Sequence, residues 1–302
     1  MTFDLPLRGA GGEPVDFYRT INSHGLITLP PNEVPDAGDL LRMPLRLSGG
    51  RATVVEIRPG EHGFARVSAS GALRGAAVRA ELTARVRRIL HLDGDYSAFY
   101  RQAAADPDLQ WVTRGAGRFV HSATVFEDVI KTICTTNTAW SATIRMTGAL
   151  VAGWGEPVAG MAGARLFPTP EALAKAPERW YRDVARTGYR GPYLRAVAAS
   201  VARGEVDLEA FADATPEQIS DAELERRLLE LPGVGPYAAA HIMMLMGRYS
   251  KLVLDSSTRP KYARLSGRKP RSDAAIVRRF KPYGRFAGLA FWCYVTSDWL
   301  SD

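Results

Sequence analysis

The stretch that decides the fold is LPGVGPYAAAHIMMLMGRYSKLVLD, residues 231–255. It opens with a five-residue turn, Leu231 to Gly235, that contains two glycines, and we predict a helix on each side of it. In such a turn the backbone N–H groups of Gly233, Gly235 and the next helix N-terminus point outward. Groups of this kind bind anions, and the polyanion that suits a surface hairpin is a nucleic-acid backbone.

Both helices of this hairpin carry terminal signals. Ser220 and Glu223 have the spacing of a capping box and predict the start of the first helix. Pro236 predicts the start of the second helix, because the first helical position does not need an N–H. An apolar run fills the second helix, and Gly247 predicts its end. The hairpin is therefore expected to cover residues 220–247.

A single carboxylate follows the hairpin. Asp255 lies eighteen positions after Tyr237, at the end of a short apolar run, and Ser256, Ser257 and Thr258 follow it. One interpretation is a helix N-cap or an Asx-turn residue, here before a helix over 256–262. The other is a functional carboxylate, and the two are compatible because neighbouring hydroxyls leave a capping carboxylate well oriented.

The hairpin together with the spaced aspartate resembles the helix-hairpin-helix Gly/Pro-Asp (HhH-GPD) superfamily of DNA glycosylases. A second match is FEDVIKTICTTN, residues 126–137, which resembles the helix of 8-oxoguanine and 3-methyladenine glycosylases that carries the gap-filling residue. GYRGPYLRAVAASV, residues 188–201, is similar to the matching segment of both families. Together these similarities cover roughly residues 90–300.

The expected fold class is α+β, with an antiparallel β-domain over 1–76 and a two-lobed, all-helical HhH-GPD glycosylase domain over 77–302. Residues 1–75 are interpreted as strands and turns, including Val15–Leu29. Alternating apolar residues predict further strands over Leu41–Leu47, Ala52–Ile57 and Phe64–Ser70. From Ala77 the apolar period becomes helical. The C-terminal helices are expected to pack back on residues 77–120.

Composition limits the class of protein. The 302 residues suffice for two domains, and no apolar run approaches the length of a membrane span. The first residues lack the pattern of a secretory signal, so we expect a cytoplasmic, nucleoid-associated protein. The two cysteines, Cys134 and Cys293, are expected to be buried thiols. Two cysteines exclude a four-cysteine iron–sulfur cluster, and the five histidines lack zinc-like spacing, so no metal site is predicted.

Positive charge is concentrated directly after the hairpin. The net charge is +7, but Arg248–Arg285 contains twelve Lys or Arg and two acids, which gives this segment +10 and the rest of the chain −3. A basic stretch is usually a solvated face. Its position next to the hairpin favours contact with phosphates.

The chemistry that the resemblance implies is removal of a base from DNA. As the base leaves, the sugar develops oxocarbenium character, and a nearby carboxylate stabilises that charge and orients the attacking water. Asp255 is the candidate for this catalytic role. Glycosylases that also cleave the strand carry a lysine at the position of Tyr237, and its amine forms a Schiff base with the sugar. Tyrosine cannot, so we expect an enzyme without lyase activity.

The remaining site residues are assigned by resemblance. Candidates for the pocket of the flipped base are Tyr237, His241 and Trp292, because such a pocket is flat and aromatic. Candidates for DNA contact are Asn137, Arg145, Gly233, Val234, Gly235 and Ser257. Asn137 would fill the gap left by the flipped nucleotide, although an asparagine at a helix end also suits left-handed backbone. Trp140 is expected in the core, and His24 and His62 are assigned no chemistry.

These features predict a monofunctional DNA N-glycosylase of base excision repair that acts on duplex DNA, with alkylated purines as the expected substrates and a monomer as the expected state. Two alternatives stay open. One is an 8-oxoguanine-type glycosylase, which the Thr-Thr-Asn segment favours and Tyr237 opposes. The other is a noncatalytic DNA-binding protein that uses the hairpin as a grip. No cofactor is required, although in relatives the hairpin carbonyls often hold potassium or sodium.

Overall fold

The N-terminal part of the chain is a four-stranded antiparallel sheet. The computed structural model describes residues 1–35, 37–267 and 272–300, with side chains up to residue 298. The strands are β1 Thr2–Pro6, β2 Leu41–Arg46, β3 Ala52–Pro59 and β4 Phe64–Ala69, in the order β1-β4-β3-β2. Met43 pairs with Val55 and Ile57 with Val67, so apolar side chains share one face of the sheet. The antiparallel sheet predicted from alternation is present, and it includes β1, which the sequence analysis did not specify.

Helices make up the rest of the described chain. Their bounds are α1 Phe17–Ile21, α2 Ala76–Ile89, α3 Ser97–Ala104, α4 Val125–Thr135, α5 Trp140–Trp154, α6 Pro170–Lys175, α7 Glu178–Asp183, α8 Arg190–Ala202, α9 Leu208–Asp213, α10 Asp221–Leu229, α11 Pro236–Leu245, α12 Thr258–Leu265, α13 Asp273–Phe280, α14 Ala287–Val295 and α15 Ser297–Leu300. None of the helices in the described ranges has the length and apolar character needed to cross a membrane.

The interpretation of Val15–Leu29 as part of the strand-and-turn region is wrong, because this segment forms α1 and a 3-10 helix over Gly25–Thr28. Asp16 caps α1 by accepting a hydrogen bond from the Arg19 N–H at 2.8 Å. Phe17 and Ile21, one helical turn apart, are buried against the sheet. The apolar residues here therefore follow the helical period, which the capping aspartate could have indicated.

The core of the sheet includes helix α2. Leu82, Val86 and Ile89 of α2 pack in the same cluster as Val55 and Val67 of the sheet. A sheet needs a covering layer on its apolar face, and α2 provides it here. Side chains from both sides of the predicted boundary at residue 76 thus share one hydrophobic core.

Helix α11 lies between two helical cores, which explains why it is apolar all round. Its residues Ala240 and Met244 belong to a core with α3 and α14. Ala239, Ile242 and Met243 belong to a second core with α4, α5, α8 and α10. A helix buried on every side must be apolar on every side. Residues of α3 and α14 belong to the first of these cores.

The hairpin has the predicted caps. The Ser220 hydroxyl accepts a hydrogen bond from the Glu223 N–H at 3.2 Å, and Pro236 is in the first turn of α11. Gly233 has φ +82° and Gly247 has φ +78°, in the left-handed region that favours glycine. A side chain at Gly247 would also collide with the His91 ring. These two glycines therefore fix the turn and the end of α11.

One other predicted bound shifts in the structure. The helix after Asp255 begins at Thr258 rather than at residue 256. Helix α8 has Pro192 within its first turn, and Thr296 separates α14 from α15.

Candidate active site

A cleft of about 930 Å³ opens where the two helical cores meet. Six segments of the described chain line it: His24 with the 3-10 helix after it, the loop between α4 and α5, Tyr189 before α8, the hairpin turn with the start of α11, the loop before α12, and one side chain of α14. In sequence these segments lie far apart. The residues predicted for the site that line this cleft are Asn137, Gly233, Gly235, Tyr237, His241, Asp255, Ser257 and Trp292.

Asp255 is held by the start of α12. Its Oδ1 accepts hydrogen bonds from the Ser257 N–H at 2.8 Å, the Thr258 N–H at 2.6 Å and the Thr258 hydroxyl at 2.9 Å. The Thr258 hydroxyl also accepts from the Asp255 N–H at 2.9 Å, so the two residues cap each other. Oδ2 has no hydrogen bond among the described residues. Ser257, rather than Asp255, is the N-cap of α12, and Asp255 forms an Asx-turn before it. This turn orients the carboxylate and leaves one carboxylate oxygen for a ligand.

Tyr237 is partly buried at the start of α11. Burial raises the pKa of its phenol, and the negative charge of Asp255 adds to this effect while a hydrogen bond with Thr135 opposes it. The phenol of Tyr237 and the carboxylate of Asp255 both line the cleft. Among the described residues that line the cleft there is no lysine.

Four rings form the floor of the cleft. His241 makes edge contacts with Tyr237 and Trp292, each at 5.9 Å between ring centroids, and with His24 at 6.2 Å. The position of Trp292 is fixed by a hydrogen bond, because its indole N–H donates to the carbonyl of Ser23 at 2.8 Å. The three residues predicted for the base pocket are thus brought together, with His24 as a fourth member.

His241 is 4% exposed, and neither of its ring nitrogens has a hydrogen-bond partner among the described residues. Burial lowers the pKa of its imidazole to about 4, so the ring is neutral at neutral pH. His24 is different, because its Nε2 bonds the Val120 carbonyl at 2.8 Å and its Nδ1 accepts the Leu26 N–H at 3.2 Å. His24 is a fixed wall of the pocket, whereas His241 keeps its hydrogen-bonding capacity.

Asn137 lies at the rim of the cleft in left-handed backbone with φ +45°. The Arg190 guanidinium holds this loop by donating to the carbonyls of Thr136 and, at 3.2 Å, of Asn137. The exposed Asn137 amide lies 3.5 Å from the hydroxyl of Tyr189. The helix-terminal interpretation is therefore right for the backbone, and the side chain remains available at the surface.

The hairpin presents backbone at the mouth of the cleft. Gly233 packs against Tyr193, and a side chain at Gly233 would approach that ring to 2.9 Å. Val234 is different from the glycines beside it, because its side chain is buried in the core and its N–H donates to the carbonyl of Leu231 at 3.1 Å. The outward-facing groups of the turn thus belong to its glycines.

Arg145 does not line the cleft. Its guanidinium donates to the carbonyls of Ala185 at 3.0 Å and of Arg186 at 3.3 Å, beyond the end of α7. A contact with DNA therefore stays a prediction for Arg145. Trp140, which was expected in the core, is 43% exposed and lines the cleft beside Gly25, so that expectation is wrong.

The basic segment 248–285 is largely paired within the chain. Arg268, Lys269 and Arg271 lie outside the described residues, and of the nine other basic side chains six form ion pairs. These six are Arg248, Lys251, Arg259, Lys261, Arg264 and Arg279. Arg248 is buried and anchors the start of α10 through Asp221 at 2.6 Å. Exposed pairs are worth at most about 1 kcal/mol, so phosphates can compete for most of these cations but not for Arg248.

Sequence reasoning missed several cleft residues. His24 and Trp140 line the cleft although the sequence analysis assigned them no role there, and so do Tyr189 and Arg259. An exposed aromatic pair, Tyr189 and Tyr193, lies next to the hairpin with ring centroids 6.2 Å apart. The similarity of residues 188–201 to the glycosylase families was the signal that pointed to this region.

The sequence of this chain is similar to that of a DNA repair protein. No protein-family model matches the chain. Over 166 residues, 54% of the chain, it is 32% identical to a probable bifunctional transcriptional activator/DNA repair enzyme AlkA of Mycobacterium tuberculosis. The aligned part is 32% of that protein, so the chain spans about a third of the length of this curated relative.

Solved structures match almost the whole chain. The 3-methyladenine DNA-glycosylase from Archaeoglobus fulgidus superposes with a TM-score of 0.73 at 21% identity, over 99% of both chains. The 8-oxoguanine glycosylase/lyase of Clostridium acetobutylicum superposes with a TM-score of 0.64 at 19% identity, over 85% of this chain and 96% of that one. The chain therefore has the fold of these two DNA glycosylases. The α+β fold class expected from the sequence is confirmed.

Proposed function

We propose that this protein is a monofunctional DNA N-glycosylase that removes alkylated purines from duplex DNA and leaves an abasic site. One observation carries the proposal: the oriented carboxylate of Asp255 and the aromatic pocket around His241 lie in the same cleft as the hairpin glycines. A backbone grip, a base pocket and a carboxylate are the three parts that base excision needs.

The carboxylate supplies the chemistry. Breaking the bond between base and sugar leaves positive charge on the sugar, and the carboxylate of Asp255 stabilises it as it develops. Oδ1 is bound by three donors, so Oδ2 is the oxygen that contacts the sugar or the attacking water. The base leaves with the bonding electron pair, and the water adds to the anomeric carbon and gives its proton to the carboxylate of Asp255.

The pocket favours electron-poor bases. A flipped base would lie among the rings of Tyr237, His241 and Trp292, and cationic bases stack well on aromatic faces. Alkylated purines are such bases, and they leave readily because their rings already carry positive charge. The name of the Archaeoglobus relative, a 3-methyladenine DNA-glycosylase, agrees with this substrate class.

The absence of an amine supports hydrolysis without strand cleavage. Tyr237 stands where a Schiff-base lysine would be needed, and the described lining of the cleft contains no lysine. Reduction with borohydride during turnover is expected to trap no covalent adduct between protein and DNA. Tyr237→Lys is the matched variant, since it places an amine in the same position. Efficient trapping by the wild-type protein would contradict this subtype.

Duplex DNA is the proposed partner. The hairpin backbone would hold a phosphodiester, Asn137 would enter the gap and Ser257 would contact the backbone near the sugar. We propose that the protein acts as a monomer on nucleoid DNA. The Clostridium relative, whose structure was also solved with double-stranded DNA, has the same fold.

A potassium or sodium ion at the hairpin is proposed as an aid to DNA binding. Carbonyl oxygens are the donors that such hard ions take, and the 231–235 turn supplies several. The test is to compare DNA affinity in chloride salts of potassium, sodium and tetramethylammonium at one ionic strength. Equal affinity in all three salts would contradict an ion at this site.

The decisive experiment is Asp255→Asn in a base-release assay. Duplexes that contain 3-methyladenine, 7-methylguanine, hypoxanthine, uracil or 8-oxoguanine are incubated with protein, and the free base is quantified. We expect at least about 100-fold slower release by the variant, because the amide cannot stabilise the cationic sugar. DNA binding should be kept or strengthened, since a negative charge near phosphate is removed.

Asp183→Asn is the matched control, because Asp183 is an exposed aspartate outside the cleft that pairs with Arg182. It should release base at the wild-type rate. The same panel decides between the alternatives. Preferential release of 8-oxoguanine would favour an 8-oxoguanine-type enzyme, and binding without release of any base by the wild-type protein would favour a noncatalytic DNA-binding protein.

A further inference from the structure

The pocket contains one polar side chain whose hydrogen-bonding capacity is unused. His241 is more than nine-tenths buried, it lines the cleft, and both of its ring nitrogens lack partners among the described residues. Buried polar groups in native proteins are nearly always satisfied. A buried imidazole with two unused nitrogens therefore points to a ligand that supplies the missing hydrogen bond.

The neighbours of His241 cannot supply it. The single N–H of the Trp292 indole donates to the carbonyl of Ser23. His24 uses both of its nitrogens on backbone groups. The phenol of Tyr237 interacts with Thr135. Each ring around His241 thus packs against the imidazole and is hydrogen-bonded elsewhere, which leaves the contents of the cleft as the partner.

We propose that His241 is the specificity-determining residue that hydrogen-bonds the edge of the flipped base, and that it does so in either tautomer. This inference rests on the proposed function. A neutral imidazole has one N–H and one lone pair, and which nitrogen carries the proton is set by the partners of the ring. None of the described residues fixes the tautomer of His241. When the ring turns one of its buried nitrogens toward a base in the cleft, that nitrogen can therefore donate to a carbonyl oxygen or accept from an amino group.

The consequence is a pocket that accepts two classes of purine. A 6-oxo purine such as 7-methylguanine presents an acceptor, and a 6-amino purine such as 3-methyladenine presents a donor. A side chain that can only donate would reject one class, because the pocket would then hold an unpaired polar group. His241 serves both, whereas an apolar ring at this position would give stacking without the hydrogen bond.

The test uses His241→Phe and His241→Gln. Phenylalanine keeps a flat ring of similar size and removes both nitrogens, whereas the glutamine amide again offers a donor and an acceptor. DNA methylated in vitro contains both lesions, so 3-methyladenine and 7-methylguanine released from one sample are separated by chromatography and their single-turnover rates compared. We expect His241→Phe to slow release of both bases by about ten- to a hundredfold, and His241→Gln to restore at least one tenth of the wild-type rates.

Two further measurements separate a hydrogen bond to the base from a structural role. Binding to a duplex with a tetrahydrofuran abasic analogue should be unchanged in His241→Phe, because no base enters the pocket. The melting temperature should be equal or higher, since the variant removes two unpaired buried nitrogens. A general defect in folding would instead lower both quantities together with the rates.

Each other result overturns the inference in a distinct way. Wild-type rates for both bases in His241→Phe would show that His241 makes no hydrogen bond to the base. Loss of one base alone would show a fixed tautomer. Failure of the wild-type protein to release any base would refute the proposed function itself, and the role of His241 with it.

Discussion

Thr258→Val tests whether the local geometry of Asp255 controls activity. The Thr258 hydroxyl is buried and lies 2.9 Å from three groups, namely the Asp255 N–H, the Asp255 Oδ1 and the Val253 carbonyl. It accepts from the N–H and donates its single proton to one of the two oxygens at a time. Valine has the same shape and removes all of these hydrogen bonds.

The expected loss of stability follows from the group left unpaired. In the valine variant the partly buried Asp255 N–H loses its acceptor, and the loss of this hydrogen bond costs about 1 kcal/mol. The turn at Asp255 itself is kept, because Oδ1 still accepts from the N–H groups of Ser257 and Thr258. We therefore expect a folded protein whose free energy of unfolding, measured in urea, falls by this amount.

The effect on catalysis should be larger than the effect on binding. A displaced carboxylate loses its position against the sugar, and a misplacement of about 1 Å lowers rates roughly a hundredfold. We expect single-turnover base release about 10- to 100-fold slower, with unchanged affinity for a tetrahydrofuran duplex. Thr258→Ser keeps the hydroxyl and should stay within about threefold of wild type, losing roughly 0.8 kcal/mol for the methyl group. A wild-type rate in Thr258→Val would refute the orienting role.

Three further predictions concern the hairpin, a buried ion pair and acid stability. Gly233→Ala should lower stability by about 1–2 kcal/mol and weaken binding to all DNA sequences alike, because the alanine would be strained and would press on Tyr193. Gly204→Ala is the control, because its backbone is also left-handed but nothing lies near the added methyl group. Its free energy of unfolding in urea should fall, whereas its affinity for DNA should not change. Lys131→Met should cost about 3–5 kcal/mol, because Glu127, 2.6 Å from the Lys131 ammonium, is left charged and buried. The double variant Glu127→Leu/Lys131→Met should recover most of that loss, and equal instability of both variants would contradict the argument. The free energy of unfolding should fall as pH drops from 6.5 towards 4. Burial lowers the pKa of His24 to about 3 and that of His241 to about 4, so the unfolded chain binds more protons than the folded protein in this range. Asp128 acts in the opposite sense, since burial raises its pKa to about 7 and its contribution is lost as pH rises through that value. His241→Phe should reduce the slope of the unfolding free energy against pH by about one proton. An unchanged slope would show that His241 is not buried in solution. The control is His62→Gln, because His62 is exposed.

Local signals were sufficient for much of the fold. The caps of α10 and α11, the turn glycine at 233 and the end of α11 at Gly247 depend on residues within four or five positions of one another. The same holds for the bonds between Asp255 and Thr258. Where a short-range signal was overlooked, as with Asp16 at the start of α1, the prediction failed although the information was present in the sequence.

The composition of the cleft needed the tertiary structure. Trp292 is anchored by Ser23, 269 positions away, and His24 reaches His241 across most of the chain. The N-terminal segment therefore contributes a wall of the pocket, although the sequence analysis found no chemistry in it. Periodicity and capping describe one element at a time, so they contain no information on which distant side chains meet.

The sequence alone was sufficient to specify the hairpin and the position of the carboxylate after it, because both depend on backbone conformation and short-range hydrogen bonds. The tertiary structure decided the rest. It placed Trp140 at the surface, paired most of the described cations after the hairpin with acids, and left His241 buried without a partner. Burial and the pairing of charges depend on contacts between elements far apart in the chain, and these form when the helical cores pack.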